Sequence, residues 1–180
     1  MSELYNLVWG LKPVFRKKAV KFSKIDDEAR EMANKMARTM YYEGGIGMGA
    51  NMVGLLKSIV VIDLVPNGHN DLIIMLNPEI THYSEETQVF EERSLCFPGI
   101  RADVTRPKFI KYNYLDYDGN FCEKEAEGFL ATVIQHEVDY LNGKIYLDYL
   151  SKFKSDTLKK KLEKYLKLNP PHIHTKQCSH

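Results

Sequence analysis

The segment from Gln135 to Gly143 (Q-H-E-V-D-Y-L-N-G) carries the residues with the clearest capacity for chemistry. On an α-helix, positions i and i+4 share one face. Two histidines at that spacing can therefore hold one divalent cation while a glutamate between them acts as general base. His136 and Glu137 fit this pattern, but Tyr140 occupies the place of the second histidine. The segment predicts a metal-site helix with one ligand replaced.

Apolar residues recur at helical spacing from about Glu125 to Leu141, and Gly143 can end the helix. The pattern predicts a core helix with its polar residues on one face. A lone histidine such as His136 on a buried helix is more often a hydrogen-bonded core residue than a ligand, so the helix alone does not establish a site. The apolar positions are Ala126, Phe129, Leu130, Val133, Ile134 and Val138.

The composition is typical of a globular protein: of 180 residues, 44% are hydrophobic and 27% are charged. We expect a single domain over residues 1–168 and a solvated tail over residues 169–180. A formal net charge of +1 gives no support for DNA or a membrane surface as a partner. Cys96, Cys122 and Cys178 are too few and too irregularly spaced for a disulfide framework. With no leader peptide or membrane span evident, a cytoplasmic location is expected.

The first part of the chain should contain an arm, a helix and a glycine-rich run. Residues 1–24 are expected to form an extended arm over the domain. An amphipathic helix should begin at the acidic residues Asp26–Glu28 and stop at Gly44–Gly45. The run Gly44–Gly54 fits a peptide-binding edge better than a phosphate loop, because it lacks the Lys-Ser/Thr of a P-loop.

The middle of the chain is predicted to be mainly β-structure. Lys57–Leu64 and Asp71–Leu76 are typical of a hairpin with a turn at Pro66–Gly68, and Asn77–Pro78 should end its second strand.

A second strand pair and a last helix follow. Phe109–Asp116 should pair with Phe121–Glu123 across the Asp118–Gly119 turn. Ser155–Thr157 can cap a helix that runs to Leu168. Its polar side is rich in lysine, at Lys159, Lys160, Lys161, Lys164 and Lys167.

Three segments in fixed order, Gly45–Met52, Glu92–Cys96 and Gln135–Leu141, resemble the motifs of one family, the peptide deformylases. These enzymes remove the formyl group from the initiator methionine of new bacterial and organellar proteins. The resemblance covers nearly the whole chain. It implies an α+β fold in which mixed, mostly antiparallel sheets surround a central HExxH-type helix, with N- and C-terminal helices outside.

The resemblance also assigns roles to positions of this chain. The family's ferrous iron or zinc is held by one cysteine and two histidines, and those positions here are Ser94, His136 and Tyr140. Glu137 occupies the general acid/base position, and Met52 replaces the glutamine that stabilises the oxyanion. The remaining positions are Leu95, whose backbone amide faces the substrate carbonyl in the family, and the substrate-binding residues Ile46, Gly47, Arg93, Phe129 and Val133.

The replaced residues predict little or no deformylase turnover. A protein metal site can contribute about 10–16 kcal/mol of binding, and exchanging a thiolate and an imidazole for a hydroxyl and a phenol could remove about half of it. Without metal, the attacking water keeps a pKa near 15.7. Loss of the oxyanion donor at Met52 would cost a further factor of about 10²–10³. No metal cofactor is therefore expected.

Three functions compete at this point. The favoured one is a catalytically degenerate homologue that still binds N-terminal Met or formyl-Met peptides. The second is an active deformylase whose altered site holds Fe²⁺ or Zn²⁺. The third is an interaction protein that docks at the ribosome through its lysine-rich last helix.

The sequence also leaves the local arrangement within the cavity undecided. Ser94, His136 and Tyr140 could hydrogen-bond one another, and Cys96 could pair with His136 as a thiol nucleophile, although a buried cysteine is usually inert. The cavity could be open, filled by Arg93, or bridged by the tail. The tail histidines His172, His174 and His180 and Cys178 could chelate a metal, but a solvated tail is favoured.

Overall fold

The computed structural model describes residues 3–65 and 71–174, in which three α-helices combine with two antiparallel sheets. This confirms the predicted α+β class. The helices are α1 (Asp27–Tyr42), α2 (Gly128–Leu141) and α3 (Lys152–Leu168). The strands are β1 (Gly47–Gly49), β2 (Ile59–Ile62), β3 (Ile73–Tyr83), β4 (Thr87–Glu92), β5 (Ala102–Pro107), β6 (Phe109–Leu115) and β7 (Phe121–Glu127).

The larger sheet has the strand order β1-β2-β3-β6-β7, and β4 and β5 form a separate pair. Strand β2 is buried on both faces, and its side chains alternate between two hydrophobic clusters. Ile59 and Val61 join α1 residues such as Met36, whereas Val60 and Ile62 face the α2 side. The sheet therefore separates α1 from most of α2, as expected for a central helix held against a sheet.

The N-terminal arm lies over the sheet as predicted, with a short 3₁₀ helix at Pro13–Arg16. Its backbone is tied down at widely separated points: Val8 N donates to Met52 O at 2.8 Å, and Ala19 N donates to Leu141 O at 2.8 Å. The Asn77 side chain forms two hydrogen bonds with the Phe22 backbone: it accepts from Phe22 N at 2.8 Å and donates to Phe22 O at 2.9 Å.

The predicted end of the second strand at Asn77–Pro78 is wrong. Strand β3 passes through both residues and continues to Tyr83. Asn77 adopts a positive φ of 52°, and the register against β6 shifts between Leu76 and Glu79, so a bulge accommodates the proline. The strand leaves β2 at this bulge and continues beside β6.

Two helix boundaries also differ from the prediction. Strand β7 runs to Glu127 and α2 begins directly at Gly128, not near Glu125, because Gly128 at φ 64° turns the chain from strand to helix. Helix α3 is capped by Ser151, which accepts from Lys154 N at 3.3 Å, and Ser155 lies buried inside the helix. The predicted turn at Pro66–Gly68 lies outside the described residues.

The other predicted elements are present. Strands β2 and β3 form an antiparallel pair, and β6 pairs with β7 from Phe109–Glu127 to Leu115–Phe121. Asp26 caps α1 by accepting from Ala29 N at 3.0 Å. Within residues 3–65 and 71–174, every helix is too short or too polar to cross a bilayer.

Candidate active-site cavity

A cavity of about 600 Å³ lies between α2, the glycine-rich run before β1, the segment that follows β4, and the N-terminal arm. Most of the positions that the motifs single out lie on its wall. The wall includes Trp9, Glu43, Gly45, Ile46, Gly47, Met52, Glu92, Arg93, Ser94, Leu95, Phe129, Val133, His136 and Glu137.

The glycines of β1 allow the helix backbone and the Glu137 side chain to come close to the strand. A Cβ atom on Gly47 would lie 2.7 Å from Glu137 Oε1, and one on Gly49 would lie 3.3 Å from both Glu137 O and Tyr140 Cβ. Any larger residue would push the strand away from α2. The glycine spacing therefore positions Glu137 at the cavity.

Glu137 is a buried carboxyl group with unusual titration. Burial raises its pKa to about 7, although the neighbouring His136 and a backbone hydrogen bond from Gly49 work in the opposite direction. Its Oε2 atom is buried and has no hydrogen-bond partner among the described residues. Glu137 can therefore gain or lose a proton near neutral pH at the cavity wall.

His136 is held by a buried charged network rather than by Ser94 or Tyr140. Its Nδ1 lies 2.7 Å from Glu92 Oε1, and the Arg106 guanidinium donates twice to Glu92, at 2.7 and 2.8 Å. Arg106 also donates to Asp139 at 2.8 Å. Burial alone would raise the pKa of Glu92, but the bonds from Arg106 and His136 hold it below its ordinary value.

This network fixes how His136 can act. Because Glu92 is held ionised, His136 Nδ1 donates its proton to Glu92 Oε1, so Nε2 is the ring nitrogen outside this bond. The imidazole ring is also stacked on Tyr146 at 5.7 Å between ring centroids. The bond to Glu92 and the stacking on Tyr146 therefore fix the orientation of the His136 imidazole.

Ser94 and Tyr140 form a second, neutral pair. The Tyr140 hydroxyl donates to Ser94 Oγ at 2.6 Å, so this part of the expected mutual bonding is found, while His136 bonds Glu92 instead. Tyr140 is fully buried and packs against Phe15 and Phe97 at 5.6 and 6.4 Å. Burial, together with nearby Cys96 and Glu137, raises the pKa of the Tyr140 phenol well above its ordinary value.

The replaced residues Met52 and Arg93 occupy opposite environments. Met52 is 2% exposed and lines the cavity, so its thioether stands in an apolar wall. Arg93 is exposed and forms no hydrogen bond or ion pair with the described residues, and Leu95 N–H likewise donates to none of them. The cavity is not filled by Arg93, which stands as a free cation on its wall.

Three of the remaining predicted residues lie on the cavity wall, and Cys96 lies in the core. Ile46, Phe129 and Val133 lie on the cavity wall, where Phe129 contacts Phe90 at 5.4 Å. Cys96 does not pair with His136. Its fully buried thiol donates to Met52 O at 3.6 Å, and burial raises its pKa well above the ordinary value. The nucleophile hypothesis for Cys96 is therefore not supported.

Comparison with known proteins explains this arrangement. The polypeptide deformylase family model matches residues 5–156. The chain belongs to the peptide deformylase family. A Rickettsia conorii protein called peptide deformylase-like is 53% identical over 176 residues, covering 98% of this chain and 96% of that protein. The peptide deformylase of Alkalilimnicola ehrlichii is 39% identical and covers 86% of each chain.

The fold comparison agrees. The crystal structure of a peptide deformylase from Legionella pneumophila superposes with a TM-score of 0.87, at 31% identity, over 94% of this chain and 99% of that one. The central helix of the deformylase fold is thus α2, and β1 is its glycine-rich strand.

Two groups of residues around the cavity were missed by sequence reasoning. Arg106 and Asp139 complete the network that orients His136, and Glu43 lies at the rim beside the C-terminal segment. Asp139 lay within the quoted helical motif and could have been singled out as a charged residue on a mostly apolar helix. Nothing near Arg106 in the sequence signals its partners, which are 14 and 33 residues away.

Proposed function

We propose that this member of the deformylase family binds N-terminal Met or formyl-Met peptides in its cavity but has lost metal binding and most or all deformylase activity. The observation that carries the proposal is the 2.6 Å hydrogen bond from Tyr140 to Ser94, two positions at which the family has metal ligands. The two side chains satisfy each other and close that side of the site.

The donor set does not fit the family's iron or zinc. Ser94 Oγ already accepts the Tyr140 proton, and a phenol whose pKa is raised well above its ordinary value cannot readily become a phenolate ligand. The imidazole of His136 is the one strong ligand left. Neutral hydroxyl groups are poor ligands for divalent transition metals, so we expect no tightly bound metal at this position.

The residues of this chain cannot easily replace the metal. An unassisted water has a pKa near 15.7, and Glu137, with a pKa of about 7, would have to remove its proton. That transfer is uphill by roughly 12 kcal/mol before any other barrier is counted. Met52 offers no hydrogen bond to a developing oxyanion. Stabilisation of the oxyanion, the second contribution to catalysis, is therefore weakened as well.

Peptide binding is supported by features that do not depend on metal. Among the described residues β1 pairs with β2 alone, so its other edge, apart from the Gly49 N–H that bonds to Glu137, can accept an extended peptide. Two buried polar atoms on the cavity wall, Trp9 Nε1 and Glu137 Oε2, have no partner among the described residues. Such orphaned atoms call for a polar ligand or water.

One observation favours the second candidate, an active deformylase that uses Fe²⁺ or Zn²⁺ at an altered site. His136 and Glu137 keep an orientation and a protonation behaviour suited to catalysis. The same features also stabilise the fold, so they weigh less than the closed Ser94–Tyr140 pair. A cytoplasmic role in co-translational processing stays a prediction.

The catalytic part of the proposal is tested by assaying formyl-Met-Ala-Ser with protein purified anaerobically and supplied with Fe²⁺, Ni²⁺ or Co²⁺. The reference is a variant carrying Met52→Gln, Arg93→Gly, Ser94→Cys and Tyr140→His. We expect the natural chain to be at least about 10³-fold slower than this variant. Turnover comparable to the variant, lost on His136→Ala, would establish the active alternative.

The binding part is tested separately by calorimetric titration with formyl-Met-Ala-Ser and Met-Ala-Ser. Phe129→Ala should weaken binding about tenfold, because it removes an apolar wall of the cavity. Phe121→Ala is the matched control, since Phe121 is exposed on β7 outside the cavity. Absence of heat with either peptide at millimolar concentration contradicts retained binding.

The ribosome remains a predicted partner through α3. Lys160, Lys161, Lys164 and Lys167 are exposed, whereas Leu162 is buried against the core. Co-sedimentation with ribosomes that is lost when these lysines are changed to glutamate would support it. Sedimentation that is independent of these charges would remove α3 from consideration.

A further inference from the structure

The C-terminal segment brings two histidines to one carboxylate at the rim of the cavity. His172 Nε2 lies 2.9 Å and His174 Nε2 lies 2.8 Å from the same atom, Glu43 Oε1. Among residues 3–65 and 71–174, these three form the one cluster whose ligand atoms all lie within 4.8 Å of each other. Residues 169–173 are exposed, as expected for a solvated tail, but His174 is only 7% exposed.

The cluster is held in place by its surroundings. The His172 ring lies edge-on to Trp9 at 5.4 Å, and the His174 ring lies edge-on to Tyr42 at 5.0 Å. His174 N also donates to the Asn6 side chain at 2.6 Å. Ile173, between the two histidines, is 68% exposed and the His172 side chain is half exposed, so His174 is the residue that the segment buries.

The electrostatic setting favours a cation. Glu43 is the C-cap of α1, whose last turn contains no basic residue. The negative end of the helix dipole is therefore added to the charge of the carboxylate without a compensating lysine or arginine. The Glu43 side chain is 9% exposed, which reduces the screening of this charge by water.

We propose that Glu43, His172 and His174 bind one divalent transition-metal ion such as Zn²⁺, Co²⁺ or Ni²⁺, which fastens the C-terminal segment to the cavity rim. Two imidazoles and one carboxylate suit these ions, and the neutral imidazoles can carry their protons on Nδ1 while Nε2 coordinates. Ligand atoms of a tetrahedral zinc site stand about 3.3 Å apart, so each Nε2 atom needs to move only slightly farther from Glu43 Oε1. The metal would occupy the place of the shared hydrogen bonds.

This site differs from the position where the family holds its metal. It uses none of Ser94, His136 or Tyr140, and Glu43 lies on the cavity wall at the end of α1, whereas His136 lies on α2. The proposal is therefore independent of whether the chain deformylates peptides.

Metal binding is tested by equilibrium dialysis of the full chain against Zn²⁺ with the metal counted per chain. We expect about one equivalent, with affinity reduced roughly 100-fold or more by His174→Ala, because even outer partners of metal ligands contribute about 10–100-fold. Glu43→Gln should weaken binding more than tenfold. Three controls should leave the affinity unchanged: His82→Ala at an exposed histidine, His136→Ala, and Cys178→Ser combined with His180→Ala.

Each outcome decides the proposal. If dialysis at micromolar Zn²⁺ finds no bound metal, the proposal is overturned, and the three residues form only a hydrogen-bonded contact between the C-terminal segment and α1. Binding that survives Glu43→Gln unchanged assigns the metal to the tail histidines alone and overturns it. Binding lost with His136→Ala, in a variant that still unfolds cooperatively, places the metal at the family's position and overturns it as well.

The single tryptophan of the chain gives a second readout. Trp9 contacts the His172 ring, so bound Co²⁺ or Ni²⁺ should quench its fluorescence, whereas Zn²⁺, with a filled d shell, should not. The quenching should be lost with His174→Ala. If it persists in that variant at the same metal concentration, the ion is not held by the proposed cluster.

Discussion

Two hydrogen-bond networks meet on helix α2, and they differ in charge. The network around His136 contains Glu92, Arg106 and Asp139, all linked at 2.7 to 2.8 Å and mostly buried. The other, one turn along the helix, is the neutral pair of Tyr140 and Ser94 at 2.6 Å. The charged network orients a residue suited to catalysis, and the neutral pair occupies two positions that catalysis would need.

This difference in charge distinguishes interactions that stabilise the fold from interactions that bear on catalysis. Removing one member of a buried ion pair leaves the other unpaired at a cost of about 3–5 kcal/mol, so the fold requires the charged network whether or not the chain is an enzyme. A neutral pair that satisfies itself imposes no such requirement. The order around His136 is therefore weak support for activity, and the proposed loss of activity rests on the Ser94–Tyr140 pair.

The largest effect should come from breaking the charged network. Arg106→Ala should lower the free energy of unfolding by about 3–5 kcal/mol, because it leaves Glu92 and Asp139 without their cation. Arg101→Ala, which removes an exposed pair with Glu91, should cost less than about 1 kcal/mol. Urea denaturation measures the loss of unfolding free energy in both variants. Equal losses would show that the Arg106 network contributes no more to stability than a surface pair.

A smaller and pH-dependent effect should follow from Glu137→Gln. The folded-state pKa of Glu137 is raised from 4.5 to about 7, so its contribution to stability is greatest at acidic pH and is lost as pH rises through about 7. The free energy of unfolding of Glu137→Gln should equal that of the natural chain at pH 5 and exceed it by about 2–3 kcal/mol at pH 8.

Glu85→Gln, at an exposed loop residue, is the control for this comparison and should show no such pH dependence. Thermal unfolding at both pH values measures the effect. A constant difference between Glu137→Gln and the natural chain across this range would contradict the raised pKa of Glu137.

The smallest effect should come from separating the neutral pair. Tyr140→Phe and Ser94→Ala should each cost about 0.5–1.5 kcal/mol, and the double variant should cost less than their sum, because both remove the same hydrogen bond. Tyr83→Phe, at an exposed tyrosine, should be near zero. A double-mutant cycle with no coupling between positions 94 and 140 would mean that the pair does not form.

Much of the fold could be predicted because its signals are local. The acidic start of α1, the apolar periodicity of α2 and the Asp118–Gly119 turn each act within a few residues, and three ordered motifs supplied the rest. The continuation of β3 through Pro78 could not be predicted, because the bulge depends on pairing with β6 and on a positive φ at Asn77. The start of α2 was missed for a related reason, since Gly128 joins a strand and a helix without a loop.

The site was predictable as a set of positions but not as a set of contacts. The motifs placed Ser94, His136, Glu137 and Tyr140 together, and in the structure the first three lie on the cavity wall while buried Tyr140 bonds to Ser94. The partner of His136 was unpredictable, because Glu92 reaches it only when β4 packs beside α2. The role of Glu43 was unpredictable for the same reason, since its partners lie about 130 residues away along the chain.

The N-terminal arm has a consequence for the order of events during synthesis. Its residues leave the ribosome well before two of their partners, because Ala19 bonds to Leu141 and Arg16 pairs with Asp148, 132 residues further along the chain. At about 5–20 residues per second, an arm residue waits roughly 6–25 seconds before these partners have been made. During that interval these two contacts of the arm are absent, and the cavity cannot be complete before α2, which supplies His136 and Glu137, has been made.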